Sequence, residues 1–248
     1  MPETTTATLL LGLRKLGFRT GDDAIEALCR HASKSRLSFV QGLEQLVQLE
    51  QRERDTRNLA ARVKAATLGT VPALDRFDWS HPRRIDRARY EQLLTMDFVR
   101  AGHNVLLRGP SGVGKTTLAQ NLGQAALTAG LTVRMSTLAA ALADLLKQES
   151  LPATERRLRM YERPDLLILD ELGYLPCDTR AADMLYSIIA ARHERRATVI
   201  STNIPFKQWG HLFHGAPSVA ALVDRFAQHC HVLDIDADSW RQAHNNAA

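Results

Sequence analysis

The sequence predicts an α/β fold, a five-stranded parallel sheet wrapped by helices and preceded by a small all-helical segment. Three observations carry this. From residue 73 onward, short apolar runs alternate with helix-patterned stretches. A glycine-rich loop, Gly109-Pro-Ser-Gly-Val-Gly-Lys-Thr116, separates the apolar run Val105-Leu106-Leu107 from a helical pattern that starts at Thr117. A second apolar run, Leu166-Leu-Ile-Leu169, ends in two adjacent carboxylates, Asp170 and Glu171. With 248 residues, 45% of them hydrophobic and 24% charged, the chain can bury one large core and a small appendage.

Residues 1–68 read as a helical N-terminal domain that meets a partner or DNA. Leu9, Leu13 and Leu16 keep helical spacing up to a stop at Gly17. Asp22 opens a second helix through Ile25 and Leu28, and Ser38 with Gln41 forms a capping box. The long helix that follows places Phe39, Leu43, Leu46, Val47, Leu59 and Val63 at roughly helical intervals, while its 52–62 part is too polar to be buried all round. Gly69-Thr-Val-Pro72 breaks the pattern, so residues 69–248 form the second domain. Its strands are expected at 104–107, 132–135, 166–170, 198–201 and 231–235. Helices are expected at 90–100, 115–129, 138–147, 154–161, 179–195 and 218–227.

The loop identifies a nucleoside triphosphate as ligand. Gly109, Gly112 and Gly114 let successive backbone N–H groups turn inward around phosphates, and the following helix offers its positive end. Pro110, Ser111, Val113 and Thr117 complete the cradle; Lys115 would reach the β- and γ-phosphates and Thr116 would place its hydroxyl on Mg2+. Asp170, at a strand end, is placed to hold the magnesium shell, and Glu171 to orient and deprotonate water for attack on the γ-phosphate. Asn203 follows the next strand, where it would hydrogen-bond the attacking water or the γ-phosphate, or simply serve its turn before Pro205. Phe77 precedes the core and would pack on a base or within the core.

The remaining chemistry narrows the class. Cys29, Cys177 and Cys230 are scattered and odd in number, against a disulfide framework or a zinc site. No apolar run approaches the ~20 residues of a membrane span, and the opening Met-Pro-Glu-Thr-Thr-Thr lacks the pattern of a secretory signal, so the cytoplasm is the expected compartment. A net charge of +5 favours a polyanionic partner modestly. Basic residues cluster at Arg52, Arg54, Arg57, Arg62 and Lys64, at Arg83, Arg84, Arg87 and Arg89, and at Arg156, Arg157 and Arg159, each of which also fits a solvated helix face.

These motifs, with 169–176, 194–206 and Leu222-Val-Asp-Arg-Phe226, resemble the IstB family of transposition helper ATPases and, more distantly, DnaC-type helicase loaders. The resemblance covers about residues 70–241. It implies an AAA+ fold, ATP and Mg2+ as cofactors, homo-oligomers with nucleotide sites at subunit interfaces, double-stranded DNA as partner, and service to a cognate transposase. It assigns Arg225 as an arginine finger for a neighbouring subunit and Arg241 as a contact to nucleotide within its own chain. The short stretch after Arg241 leaves no room for a full helical lid. Initiator-type relatives carry a DNA-facing helical element where residues 138–160 lie, so Lys147, Arg156, Arg157 and Arg159 are the first DNA-binding candidates and Arg52, Arg54 and Arg57 the second. Such binding would be electrostatic and indifferent to sequence. The alternatives are a DnaC-like helicase loader, with residues 1–68 as its docking module, and a small-molecule kinase, which would leave Glu171, Asn203 and Arg225 without use.

Overall fold

The computed structural model describes residues 6–173, 178–213, 216–238 and 240. The chain divides into two compact units, Met1–Ala61 and Arg62–Ala248. None of the described helices is long and apolar enough to cross a membrane.

The first unit holds helices α1 (Thr6–Lys15), α2 (Asp22–Lys34) and most of α3 (Phe39–Ala66). Gly17, at φ 85°, takes the left-handed conformation that ends α1, and the Phe18 N–H returns to the Leu13 carbonyl at 2.9 Å. The capping box forms as expected: Ser38 N–H donates to Gln41 Oε1 at 2.8 Å and Gln41 N–H to Ser38 Oγ at 3.3 Å. Glu50 is the polar anchor of this unit, buried and accepting from the Arg19 and Thr20 N–H groups, the Thr20 hydroxyl and Arg54 Nε at 2.7–3.0 Å. Burial alone would raise its pKa. The hydrogen bonds outweigh that, those of Arg54 and the Thr20 hydroxyl first, and hold the carboxyl at about 2.

The second unit is a parallel sheet of β1 (Asn104–Arg108), β2 (Val133–Thr137), β3 (Leu166–Leu172), β4 (Ala197–Thr202) and β5 (Cys230–Asp234), in the order β2-β3-β4-β1-β5. Its strands alternate between two apolar layers. Val105, Leu107, Ile168 and Val199 face a core closed by α6 (Lys115–Thr128) through Leu118 and Leu122. Leu106, Leu167, Leu169 and Ile200 face the other, closed by α7 (Leu138–Leu146), α8 (Leu151–Glu162), α9 (Thr179–Arg192) and α11 (Ser218–Ala227). Because both faces are covered, the central strands read as continuous apolar runs. β1 lies between β4 and β5, and the chain reverses direction across the sheet there, which opens a crevice at the carboxyl ends of the strands.

Several boundaries depart from expectation: β2 runs to Thr137 rather than residue 135, α9 stops at Arg192 rather than residue 195, and two further changes have a clear cause. The helix expected at 90–100 is two, α4 (Arg87–Leu93) and α5 (Asp97–Arg100), because Met96 adopts φ 64° between them. That turn lets Leu93, Met96, Phe98 and Val99 all enter one core, and burial of four apolar side chains outweighs the strain of one left-handed residue. α8 begins at Leu151 rather than residue 154, because Ser150 caps it through the Ala153 N–H at 3.4 Å and Pro152 fits its first turn. A short helix, α10 (Trp209–Leu212), completes the set.

Candidate nucleotide-binding site

Loop 109–116 leaves β1 in a conformation that only its glycines allow. Gly109 N–H donates to the Thr202 carbonyl at 3.1 Å, and a Cβ at Gly109 would collide with the Ile235 carbonyl oxygen. Gly112 and Gly114 stand at φ 80° and 91°, and a Cβ at Gly114 would sit 2.5 Å from Phe77 Cε2. Gly114 precedes α6, so that helix points its N-terminal N–H groups into a cavity of about 280 Å3. Ser111 to Thr117, Asp170, Glu171 and Ser201 line one wall; Phe77, Arg76, His81 and Trp240 line another.

Lys115 is buried, its ammonium donating to the Gly109 and Pro110 carbonyls at 2.8 and 2.6 Å. Thr116 Oγ1 donates to Asp170 Oδ2 at 2.8 Å, joining the loop to the end of β3. The oxygens of Thr116 and Asp170 thus converge in the manner a hard, oxygen-seeking cation requires. Glu171 follows at φ 65°, inside the irregularity that interrupts the β3–β4 register between Leu169 and Leu172. A left-handed glutamate at a strand end stores strain of about 1–3 kcal/mol, and such residues gather at functional sites. Ser201 holds it: its Oγ accepts the Glu171 N–H at 2.9 Å and donates to Asp170 Oδ1.

Ser201, buried at the end of β4, is a site residue that sequence reasoning missed. The Ser201-Thr-Asn203 run marked the right strand end, but its first residue, not its third, faces the cavity. Asn203 is exposed, next to Gly173, where a Cβ would come 2.8 Å from Asn203 Oδ1. Phe77 packs against the core, one edge on the loop and its ring 4.7 Å from that of Trp79, and it also lines the cavity. Trp240, also missed, donates its backbone N–H to the Gly112 carbonyl at 3.2 Å and meets His81 edge-on at 4.8 Å. It is reached through contacts remote in sequence: Arg84 and Asp236 pair by backbone bonds at 3.2 and 2.9 Å, and Arg83 reaches Asp238 at 2.5 Å. Arg241 and Cys177 lie outside the described residues.

Arg225, on α11, does not line its own chain's cavity; its Nη1 donates to the Tyr186 hydroxyl at 2.5 Å. The basic candidates separate by partner. Arg157 holds Asp144 through two bonds of 2.5 and 2.7 Å, Lys147 reaches the same carboxylate at 3.1 Å, and the Tyr161 hydroxyl donates to it at 2.9 Å. The Arg157 pairing first, against an opposing cost of burial, holds the Asp144 carboxyl well below the usual range. Arg54 and Arg57 are likewise bonded to Glu50 and Glu53. The side chains of Arg52, Arg156 and Arg159 are exposed and make no ion pair among the described residues. Arg156 and Arg159 share a groove with Arg134 and Arg163.

Comparison with known proteins agrees with this geometry. The family described as IstB-like ATP binding protein matches residues 12–248. A relative from Pseudomonas aeruginosa, named as an ATP-binding protein of insertion sequence IS21, is 34% identical over 217 residues, 88% of this chain and 82% of that protein. Another, from Bacillus thuringiensis subsp. berliner and named for insertion sequence IS232, is 30% identical over 237 residues, 96% of this chain and 93% of that protein. Among solved structures, DnaI aligns with a TM-score of 0.56 at 19% identity, over 68% of this chain and 92% of its own. The DnaC helicase loader aligns with a TM-score of 0.50 at 19% identity, over 64% and 96%. At such identity these two speak to the fold alone, a parallel α/β sheet with the phosphate loop after its first strand. The chain belongs to the IstB-like ATP binding protein family.

Proposed function

We propose that this protein is an ATPase that assembles on double-stranded DNA and assists a transposase, with ATP hydrolysis timing its hold on DNA. The observation that carries the reading is the junction of Thr116, Asp170 and Glu171 in one cavity, with Ser201 fixing both acids. A loop that only bound phosphate would need no strained carboxylate beside it.

In this reading Lys115 exchanges its bonds to the Gly109 and Pro110 carbonyls for β- and γ-phosphate oxygens. The N–H groups of the loop and of α6 take the remaining phosphate charge. Mg2+ would be held by Thr116 and Asp170, and when bound it neutralises charge shared between the phosphates. Glu171 takes a proton from water aligned with the γ-phosphate. Asn203 is exposed and does not line the cavity, so it meets that phosphate only if its segment moves inward; Arg225 serves a neighbouring subunit, and Arg241 belongs to nucleotide contact within its own chain. Phe77, His81 and Trp240 supply an aromatic surface for the base.

DNA contact falls to Arg156 and Arg159, with Arg52 as the second cluster, because a guanidinium not already paired with a carboxylate can release counterions from phosphate. Arg157, Lys147, Arg54 and Arg57 act first as braces. The helical segment before residue 69 is the module that meets the partner, and the cytoplasm is its compartment. The insertion-sequence names of the relatives favour a transposase as that partner; a helicase, the alternative, has fold likeness alone behind it.

The test compares Glu171→Gln with Lys115→Ala. Glu171→Gln should bind ATP, lose hydrolysis and remain on duplex DNA, and it should retain the transposase in a pull-down. Lys115→Ala should neither bind ATP nor cluster on DNA. Equal hydrolysis by Glu171→Gln and the parent would sink the assignment of the base.

A further inference from the structure

We infer that Tyr186 is a positioning residue for Arg225, holding its guanidinium oriented for a phosphate brought by a neighbouring subunit. This rests on the reading of Arg225 as a residue that acts in trans.

The two side chains meet between α9 and α11, both fixed in one apolar core by Leu185, Ile188, Leu222 and Phe226. Arg225 Cζ lies 4.9 Å from the centre of the Tyr186 ring, and Arg225 Nη1 donates to the Tyr186 hydroxyl at 2.5 Å. One tyrosine thus offers both a ring face and an acceptor to the same guanidinium. A guanidinium has five N–H donors, and this bond uses one.

The character of the partner separates this arginine from those paired with acids; Arg134, 4.6 Å from the centre of the Tyr161 ring, is a second one held by a tyrosine. Arg54, Arg57, Arg87, Arg108 and Arg157 are each held by a carboxylate. A carboxylate competes with an incoming phosphate for the cation and must be displaced before the guanidinium can bond that phosphate. A phenol ring and a neutral hydroxyl orient the cation without cancelling it. Among the described residues no carboxylate lies within ion-pair distance of Arg225, so its remaining donors stay available. Arg225 does not line its own chain's cavity, so a nucleotide phosphate that meets this guanidinium comes from another subunit. Fixing it beforehand removes the entropy a long side chain otherwise loses at each turnover.

The experiment is a double-mutant cycle on ATP hydrolysis by the full chain, at saturating duplex DNA and at protein concentrations where assembly is complete. Tyr186→Phe keeps the ring and loses the acceptor; Tyr186→Leu loses both. Preordering one rotamer-rich side chain accounts for roughly two- to tenfold, so kcat should fall by a few fold in Tyr186→Phe and by about tenfold in Tyr186→Leu. ATP-analogue affinity should not change. In an Arg225→Ala background, Tyr186→Leu should cause no further loss, because a residue that acts through another is silent once that other is gone. An equal loss in both backgrounds, or a parental kcat in both tyrosine variants, overturns the inference while leaving Arg225 in its role. A parental kcat in Arg225→Ala overturns the reading of Arg225 itself and the inference with it. Should Tyr186→Leu fail to fold, Tyr186→Phe carries the same cycle.

Discussion

Single residues in this protein do their work through the groups that hold them. Glu171 has the strained conformation, yet Ser201 maintains it, so Ser201→Ala should lower hydrolysis along with Glu171→Gln. Loss of a general base costs about 10²–10⁴-fold, and steady-state hydrolysis of Glu171→Gln should fall in that range while ATP-analogue affinity holds. Arg192 is the structural counterpart. Fully buried, it donates to the Tyr161, Glu162 and Pro164 carbonyls at 2.8–3.0 Å and to Thr198 Oγ1 at 3.0 Å. Burial pulls its pKa down to about 9, so it still carries its charge at neutral pH. Arg192→Leu would leave several buried carbonyls without donors, at about 1–3 kcal/mol each. A fall in melting temperature of several degrees is expected, and an unchanged melt would show that water replaces the guanidinium.

At the scale of elements, ion pairs decide which basic residues are free for other work. Arg157→Ala should loosen the α7–α8 pair and lower stability, because Asp144 is then left with less support in a mostly buried place. Arg156→Ala should leave the melt unchanged and weaken DNA binding, with the slope of log affinity on log salt reduced by about 0.9. The reverse pattern in the two variants would contradict this division. Glu50 gives the N-terminal unit an acid limit. Its folded pKa of about 2 lies below the ordinary 4.5, so its contribution is present above pH 4.5 and lost as pH falls from there towards 2. Glu50→Gln should remove that window from hydrogen exchange of α2 and α3 measured in the full chain. Spacing and capping made these elements legible: the box at Ser38 and Gln41 forms as written. What was not legible came from tertiary packing, as where Met96 turns the chain so that two short helices share a core. The carboxylate partners of Arg157 and Arg54 were not legible either, since facing charges depend on how helices meet.

For the whole molecule, sequence alone reached the sheet, its strands and both acidic positions, because a glycine-rich loop between strand and helix leaves few arrangements open. The site's second wall was out of reach. His81 and Trp240 lie far apart in sequence, and the pairings of Arg84 with Asp236 and of Arg83 with Asp238 bring them together. Ser201 faces the cavity through strand phase at the edge of a register shift, which apolar periodicity does not report. The central claim concerns more than one chain: ATP held by the loop of one subunit is cleaved with Arg225 of another. The most direct measurement mixes Glu171→Gln with Arg225→Ala on duplex DNA and follows phosphate release. Each variant alone should hydrolyse only slowly, since one lacks the base and the other the donated arginine. The mixture should recover part of the parental rate, because an intact Glu171 then meets an intact Arg225 at some junctions. A mixture as slow as its components, with assembly on DNA confirmed, would contradict the account.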